Sequence, residues 1–391
     1  MQLQNGYFKR TIIVYRPWLT RPVLAVAVAV VVLVLGACSP PEPLKVGMIA
    51  GLTGRVTDMG VAGRDGVLLA VEEANARGGI DGRKITLIVR DDKQDKEQCL
   101  LAISQLIAQG VAGVVGPMTS AMAVIVVPEI NAHAIPTISP TVSTGLLEGA
   151  DDYFFRVIPV STEAAQIAAD YAYKQQYKSL LVIRDQGNSA YTDPWYQVLK
   201  KRFESYEGTR VETLSYVSRH GYDFLELAED IIGNRADCLV ILANALDTAL
   251  ISQQLAKFKN DTPIIASEWS LTEDLVEFGG RTVEGIRLFH SFNPNSDKDT
   301  YRAFALNFQK RFGYSADFAS AYGYTAMTIL LDALEKGTTS EEVKDAILQG
   351  SPYAGLQQSI RFDGYGDVKR KYTLVEIRNG KSHSVVEYVH E

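Results

Sequence analysis

Hydrophobic positions along the chain alternate between two periods. Residues 45–50 form a short apolar run, which predicts a buried strand. Val67, Leu68, Val71 and Ala74 then recur at helical spacing, and Gly78-Gly79 predict the stop of that helix. Residues 84–89 read as a strand. A helix follows over 96–108, with Leu100, Ile103 and Leu106 on one face. Residues 111–115 read as a strand, 121–132 as a helix and 135–138 as a strand. Short strands separated by helices of roughly 10–15 residues predict βαβ units, with helices on both faces of a parallel sheet.

The rhythm restarts after Pro159. Helices are predicted over 162–175, 194–206, 224–232 and 247–258, and strands over 179–184, 211–216, 238–242 and 263–266. Two αβ modules of similar size predict a bilobed α/β fold. Three helices follow, over 298–312, 318–336 and 340–348. The tail reads as strands at 359–362, 372–377 and 384–388, with a turn at Gly364-Tyr365-Gly366-Asp367.

The front end changes the picture. Lys9, Arg10, Arg16 and Arg21 precede an apolar run over 22–35, followed by Leu35-Gly36-Ala37-Cys38. A positive n-region, an apolar h-region and small residues before the cut describe an export signal over 1–37. The run is short for a membrane span, which needs roughly 20 apolar residues. The tetrapeptide resembles the lipobox of bacterial lipoproteins, which implies lipidation of Cys38, a tether over 38–43 and a location outside the cytoplasmic membrane. The signal holds four basic and no acidic residues. The formal charge of −7 for the whole chain therefore becomes −11 from Cys38 onward. Nucleic-acid binding needs Lys and Arg to neutralise phosphates, so nucleic acid is not an expected partner. A hydrophobic content of 47% suffices for sizeable cores and argues against disorder.

Beyond Cys38 only Cys99 and Cys238 remain, predicted on a helix and a strand of different lobes, and both are expected to be free and buried. The five histidines show no metal-ligand spacing, and no metal or cofactor is expected. The sequence holds no Walker A motif, no G-x-S-x-G and no H-E-x-x-H. Asp91-Asp92 is a paired carboxylate at a strand end, read as capping the next helix rather than as acid–base machinery. The pattern points to binding, not catalysis.

Several segments resemble one family. They are 46–53 with Gly54, then Asn75-Ala76-Arg77-Gly78-Gly79-Ile80-Asp81-Gly82-Arg83-Lys84-Ile85, and Asp91-Asp92. Val114-Val115-Gly116-Pro117 with Ser120, Ile135-Pro136-Thr137-Ile138-Ser139-Pro140, Phe154-Phe155-Arg156, and Ala321-Tyr322 with Ala326 complete the set. In this order they resemble type I periplasmic substrate-binding proteins across nearly all of 44–391. The likeness is strongest to the leucine/isoleucine/valine-binding branch that feeds ABC transporters. The resemblance implies two Rossmann-like lobes joined by three crossings, near 156–160, 288–292 and 351–362. The lobes would be 44–158 plus 291–352, and 159–290 plus 353–391.

The same resemblance implies a site for a zwitterion. A ligand carboxylate would lie on Ser120, Thr141 and Ser143, where the Ser120 position opens a helix and its N-terminal dipole favours an anion. An ammonium would lie on Glu268, under Tyr191. Met59, Met118, Thr119, Asn244, Trp269, Phe318 and Tyr322 would line the pocket. Two positions depart from the branch: Ala243-Asn244-Ala245 stands where it carries a tyrosine, and Cys99 faces only Thr119 where it carries a disulfide. The expected function is capture of an amino acid, aliphatic or branched-chain, by a monomeric lipoprotein that delivers it to an ABC permease. Delivery to a membrane sensor, and an amide, urea-like or aromatic-acid ligand, are the alternatives.

Overall fold

The computed structural model describes residues 41–54 and 56–388. The export signal and Cys38 lie outside them. Five strands, β1 (Leu44–Ala50), β2 (Ile85–Asp91), β3 (Val114–Val115), β4 (Thr137–Ser139) and β5 (Phe154–Arg156), form a parallel sheet in the order β2-β1-β3-β4-β5. A second sheet runs β12-β11-β10-β9-β8-β6-β7. Its strands are β6 (Ser179–Asp185), β7 (Arg210–Tyr216), β8 (Cys238–Leu242), β9 (Ile264–Ala266), β10 (Arg287–His290), β11 (Tyr372–Arg378) and β12 (Lys381–Tyr388). Strands β6 to β10 are parallel, and β11 and β12 close the edge antiparallel.

Strands buried on both faces need continuous apolar runs, and β8 is Cys-Leu-Val-Ile-Leu with every residue buried. In each sheet the strand order reverses beside the first strand of its module, between β1 and β3 and between β6 and β8. Ligands in open α/β sheets bind outside the carboxyl ends of the strands at such a reversal.

The helices are α1 (Thr57–Ala76), α2 (Lys96–Ala108), α3 (Ser120–Ala132), α4 (Thr162–Lys174), α5 (Ser189–Phe203), α6 (Phe224–Asn234), α7 (Ala245–Lys257), α8 (Glu273–Gly279), α9 (Asp299–Phe312), α10 (Phe318–Leu334) and α11 (Ser340–Gln349). Helices α1 and α10 pack at close range. A Cβ on Gly66 would lie 2.0 Å from the Ser320 carbonyl oxygen, and one on Gly323 would lie 2.4 Å from that of Gly63. None of the helices among the described residues is long and apolar enough to cross a membrane.

Several expectations change. Helix α5 begins at Ser189, not Pro194. Pro194 lies inside it and has no N–H for the carbonyl of Ala190, which accepts instead from Thr144 Oγ1 at 2.5 Å. Residues 359–362 form isolated bridges, Tyr353 with Ile360 and Phe362 with Val368, rather than a strand. The tail hairpin turns at Asn379-Gly380, both with positive φ (51° and 66°), a type I′ turn the sequence reading passed over. Helix α2 is capped by Asp95, which accepts from Gln98 N. Asp91 and Asp92 instead bind the turns before it, at Leu52, Thr53, Lys93 and Gln94. Cys99 and Cys238 are buried and free. Burial raises both thiols, Cys238 to about 12.

Candidate functional site

A cavity with about 320 Å³ of space between atoms opens where the carboxyl ends of the two sheets face each other. The part of it open to a water molecule is only about 20 Å³, room for about one water and far below the roughly 300–1,000 Å³ usual for ligand sites, so the cleft is nearly closed on itself. The first sheet and its helices contribute Met59, Met118, Thr119, Ser120, Thr141, Ser143 and Ile158; the second contributes Asn188, Tyr191, Glu268 and Trp269; Phe318 opens α10.

The lower rim is built by a helix start. β3 ends at Val115, and the chain turns through Pro117 into α3. Thr119 is the N-cap, but its hydroxyl donates to Gln94 Oε1 at 2.8 Å instead of capping its own helix. The first-turn N–H groups therefore get no cap from Thr119, and one of them, Ala121 N, donates to the Asn188 side chain instead. Ser120, the first helical residue, is 3% exposed, and its hydroxyl makes no hydrogen bond among the described residues. Thr141 Oγ1 donates to the Met118 carbonyl at 2.5 Å, so its one hydroxyl proton is committed and a ligand carboxylate could draw a hydrogen only from its backbone N–H. The Ser143 side chain is buried against the same space.

The upper rim carries the charge. Glu268 follows β9 in a short 3-10 turn and is 6% exposed. Trp195 Nε1 donates to its Oε2 at 3.2 Å. Burial pushes the carboxyl up to about 7, against the backbone, Tyr191 and Trp195 groups that favour its charged form. No basic side chain pairs with it among the described residues. The Tyr191 hydroxyl and Trp269 Nε1 are buried without hydrogen-bond geometry to any described partner. Burial first, and the nearby Glu268 next, hold the Tyr191 phenol well above its usual range. The two rings meet edge-on at 5.8 Å.

Among the described residues, hydrogen bonds that join the halves around this space include Ala121 N to Asn188 Oδ1 (2.9 Å), Thr144 Oγ1 to the Ala190 carbonyl (2.5 Å), Ser161 N to the Ser143 carbonyl (2.8 Å) and Thr272 Oγ1 to Asp58 Oδ2 (2.5 Å).

Ten of the twelve expected contact residues thus line one cavity, and two do not. Asn244 is the N-cap of α7: its Oδ1 accepts from Asp247 N at 2.8 Å, which turns the amide away. Tyr322 bonds Ser291 Oγ at 2.9 Å and carries the Arg370 guanidinium 4.6 Å above its ring. Ile158 and Asn188 were missed. Asn188 sat in a polar turn after a strand, a signal that marks loops in general. Among the described residues no group of three His, Cys, Asp or Glu side chains is placed to hold a metal.

Comparisons with known proteins agree with this fold. A curated relative, Leu/Ile/Val-binding protein homolog 3 of Brucella melitensis, is 24% identical over 83% of this chain and 88% of its own. A branched-chain amino acid transporter substrate binding protein from Streptococcus pneumoniae, solved with isoleucine, superposes with TM-score 0.80 at 24% identity, covering 88% of this chain and 99% of that one. An ABC transporter solute binding protein from R. palustris, solved with benzoate, gives TM-score 0.80 at 19% identity, covering 88% and 96%. These structures share the type I two-sheet fold. The sequence profile described as "Periplasmic binding protein" matches residues 43–382, so the chain belongs to the periplasmic binding protein family, a family of solute-binding proteins.

Proposed function

We propose that this protein captures an amino acid, aliphatic or branched-chain, in the cavity and delivers it to an ABC permease. The carrying observation is the buried Glu268 carboxylate, which has no cation partner among the described residues and shares the cavity with a helix start whose hydroxyl and N–H groups suit an anion. A zwitterion supplies both complements. Ser120, Ser143 and the Thr141 backbone hold the carboxylate; Glu268 and Tyr191 hold the ammonium. Met59, Met118, Thr119, Trp269 and Phe318 wall the side chain. Relatives named for leucine, isoleucine and valine support this class.

The lobes are 44–158 plus 291–352 and 159–290 plus 353–391, and hinge closure between them excludes water. The export signal directs the monomer across the cytoplasmic membrane and is removed, and lipidated Cys38 tethers it there. No turnover is assigned to it.

The benzoate-bound neighbour favours a second reading, an aromatic acid. That ligand has no cation for Glu268 and would need the carboxyl protonated. Calorimetry of the soluble form from Ser39, with leucine, isoleucine, valine, alanine and benzoate, separates the two. Binding of an aliphatic amino acid supports the proposal; binding of benzoate alone overturns the ammonium roles of Glu268 and Tyr191.

A further inference from the structure

An asparagine at a helix N-cap ordinarily turns its side-chain oxygen onto the first turn of its own helix. Asn188 caps α5 and makes no such bond. Its Oδ1 reaches across the cleft to Ala121 N, in the first turn of α3, at 2.9 Å. A backbone N–H only donates, so the atom facing it is the amide oxygen and the –NH2 group is fixed on the other branch. The residue is 6% exposed and lines the cavity. Its Nδ2 has no partner among the described residues.

An amide whose acceptor is committed to protein, and whose two donors border a buried space, is arranged to meet an acceptor on a ligand. Two helix starts also converge there. Ser120 opens α3 from one half and Ser189 opens α5 from the other, and both place positive dipole ends at the cavity. The Ser120 hydroxyl is unoccupied on the same side.

We propose that Asn188 reads the ligand's carboxylate: Oδ1 latches the α3 N-terminus while Nδ2 donates to a carboxylate oxygen that Ser120 holds from the opposite half. One side chain then ties recognition of the anion to closure of the cleft. This rests on the amino-acid reading above and adds a specificity residue from the second half to a carboxylate site otherwise built by the first. It also explains why the position calls for an amide. Aspartate keeps the acceptor for Ala121 but loses the donor and brings a negative charge beside the anion. Alanine loses both contacts.

The test is calorimetry of wild type, Asn188→Asp and Asn188→Ala with the tightest-binding aliphatic amino acid and with its carboxamide, which keeps the ammonium and replaces the anion with a neutral group. Thermal unfolding of each ligand-free variant checks the fold. The expected result is a loss of about 100-fold or more for the amino acid in Asn188→Asp, against less than about threefold for the carboxamide, since the new carboxylate accepts from its –NH2. Asn188→Ala should lose about tenfold or more for the amino acid and less for the carboxamide. Parallel losses for both ligands, or an unchanged amino-acid affinity in Asn188→Asp, overturn the inference and leave Asn188 a structural latch. Wild-type protein that binds no amino acid overturns the amino-acid reading and takes this inference with it.

Discussion

Trp195 and Glu268 lie 73 positions apart, on α5 and after β9, and the indole Nε1 donates to the carboxylate Oε2 at 3.2 Å. Trp195 is buried and does not line the cavity. Its bond fixes one carboxylate oxygen at the edge of the cavity that Glu268 lines. Trp195→Phe keeps the ring and removes the donor. The Glu268 carboxyl should then rise further above its present value of about 7, and amino-acid affinity at pH 7 should fall by about 1–3 kcal/mol, as for a lost hydrogen bond to a charged group. A calorimetric pH series on the variant measures both; an unchanged profile would show the bond to be idle.

Glu268→Gln leaves an ammonium buried without its charged partner. The expected loss of affinity is about 3–5 kcal/mol, the usual cost of breaking a buried pair. Ser120→Ala should cost about 1–3 kcal/mol. Dissociation constants of the two variants rank the two ends of the site.

The pH dependence has a definite sign. In the ligand-free protein Glu268 holds its proton up to about pH 7. Binding an ammonium requires the carboxylate, so amino-acid affinity should fall about tenfold per pH unit below 7 and level off above it. A ligand without an ammonium should show the reverse slope. Stability of the ligand-free protein runs the other way. Between the ordinary carboxyl value of 4.5 and about 7 the unfolded chain ionises at this group while the folded one does not, so stability falls as pH rises through that window. Asp92 and Asp274 (about 6) and Asp317 (about 7) are raised by burial and titrate nearby. The slope attributable to Glu268 is therefore the one that Glu268→Gln removes, read from thermal unfolding at pH 5 to 8.

Arg156 and Asp367 form a buried pair at 2.5 Å. The guanidinium also donates to the Thr144 carbonyl at 2.6 Å, and Asp367 accepts from Gly149 N at 2.8 Å. Asp367→Ala would leave the arginine buried and unpaired, with an expected loss of about 3–5 kcal/mol of stability. Denaturant titration measures it.

Gly66→Ala places a methyl against the Ser320 carbonyl of α10, 2.0 Å from its oxygen. Helices α1 and α10 must then part, at about 1–3 kcal/mol or more. The midpoint of thermal unfolding should drop, with ligand still able to raise it.

The sequence alone determined the alternation of strands and helices and the restart after Pro159, because period and apolar run length are local properties of the chain; that Cys99 and Cys238 stay apart and free was decided by the tertiary structure. Resemblance carried ten of the twelve cavity positions, since loops after strand ends keep their place in this fold. What the chain could not display locally was decided by distant partners. Asn244 turned away because Asp247 N lies within its reach, and Tyr322 because Ser291 and Arg370 hold it. Helix α5 began five residues before its proline because the carbonyl of Ala190 found Thr144 from the facing half. Asn188 entered the site because Ala121, 67 residues earlier, presents an uncapped N–H. A side chain's direction is set by the hydrogen bonds that folding brings within about 3 Å, and those partners have no fixed spacing along the sequence.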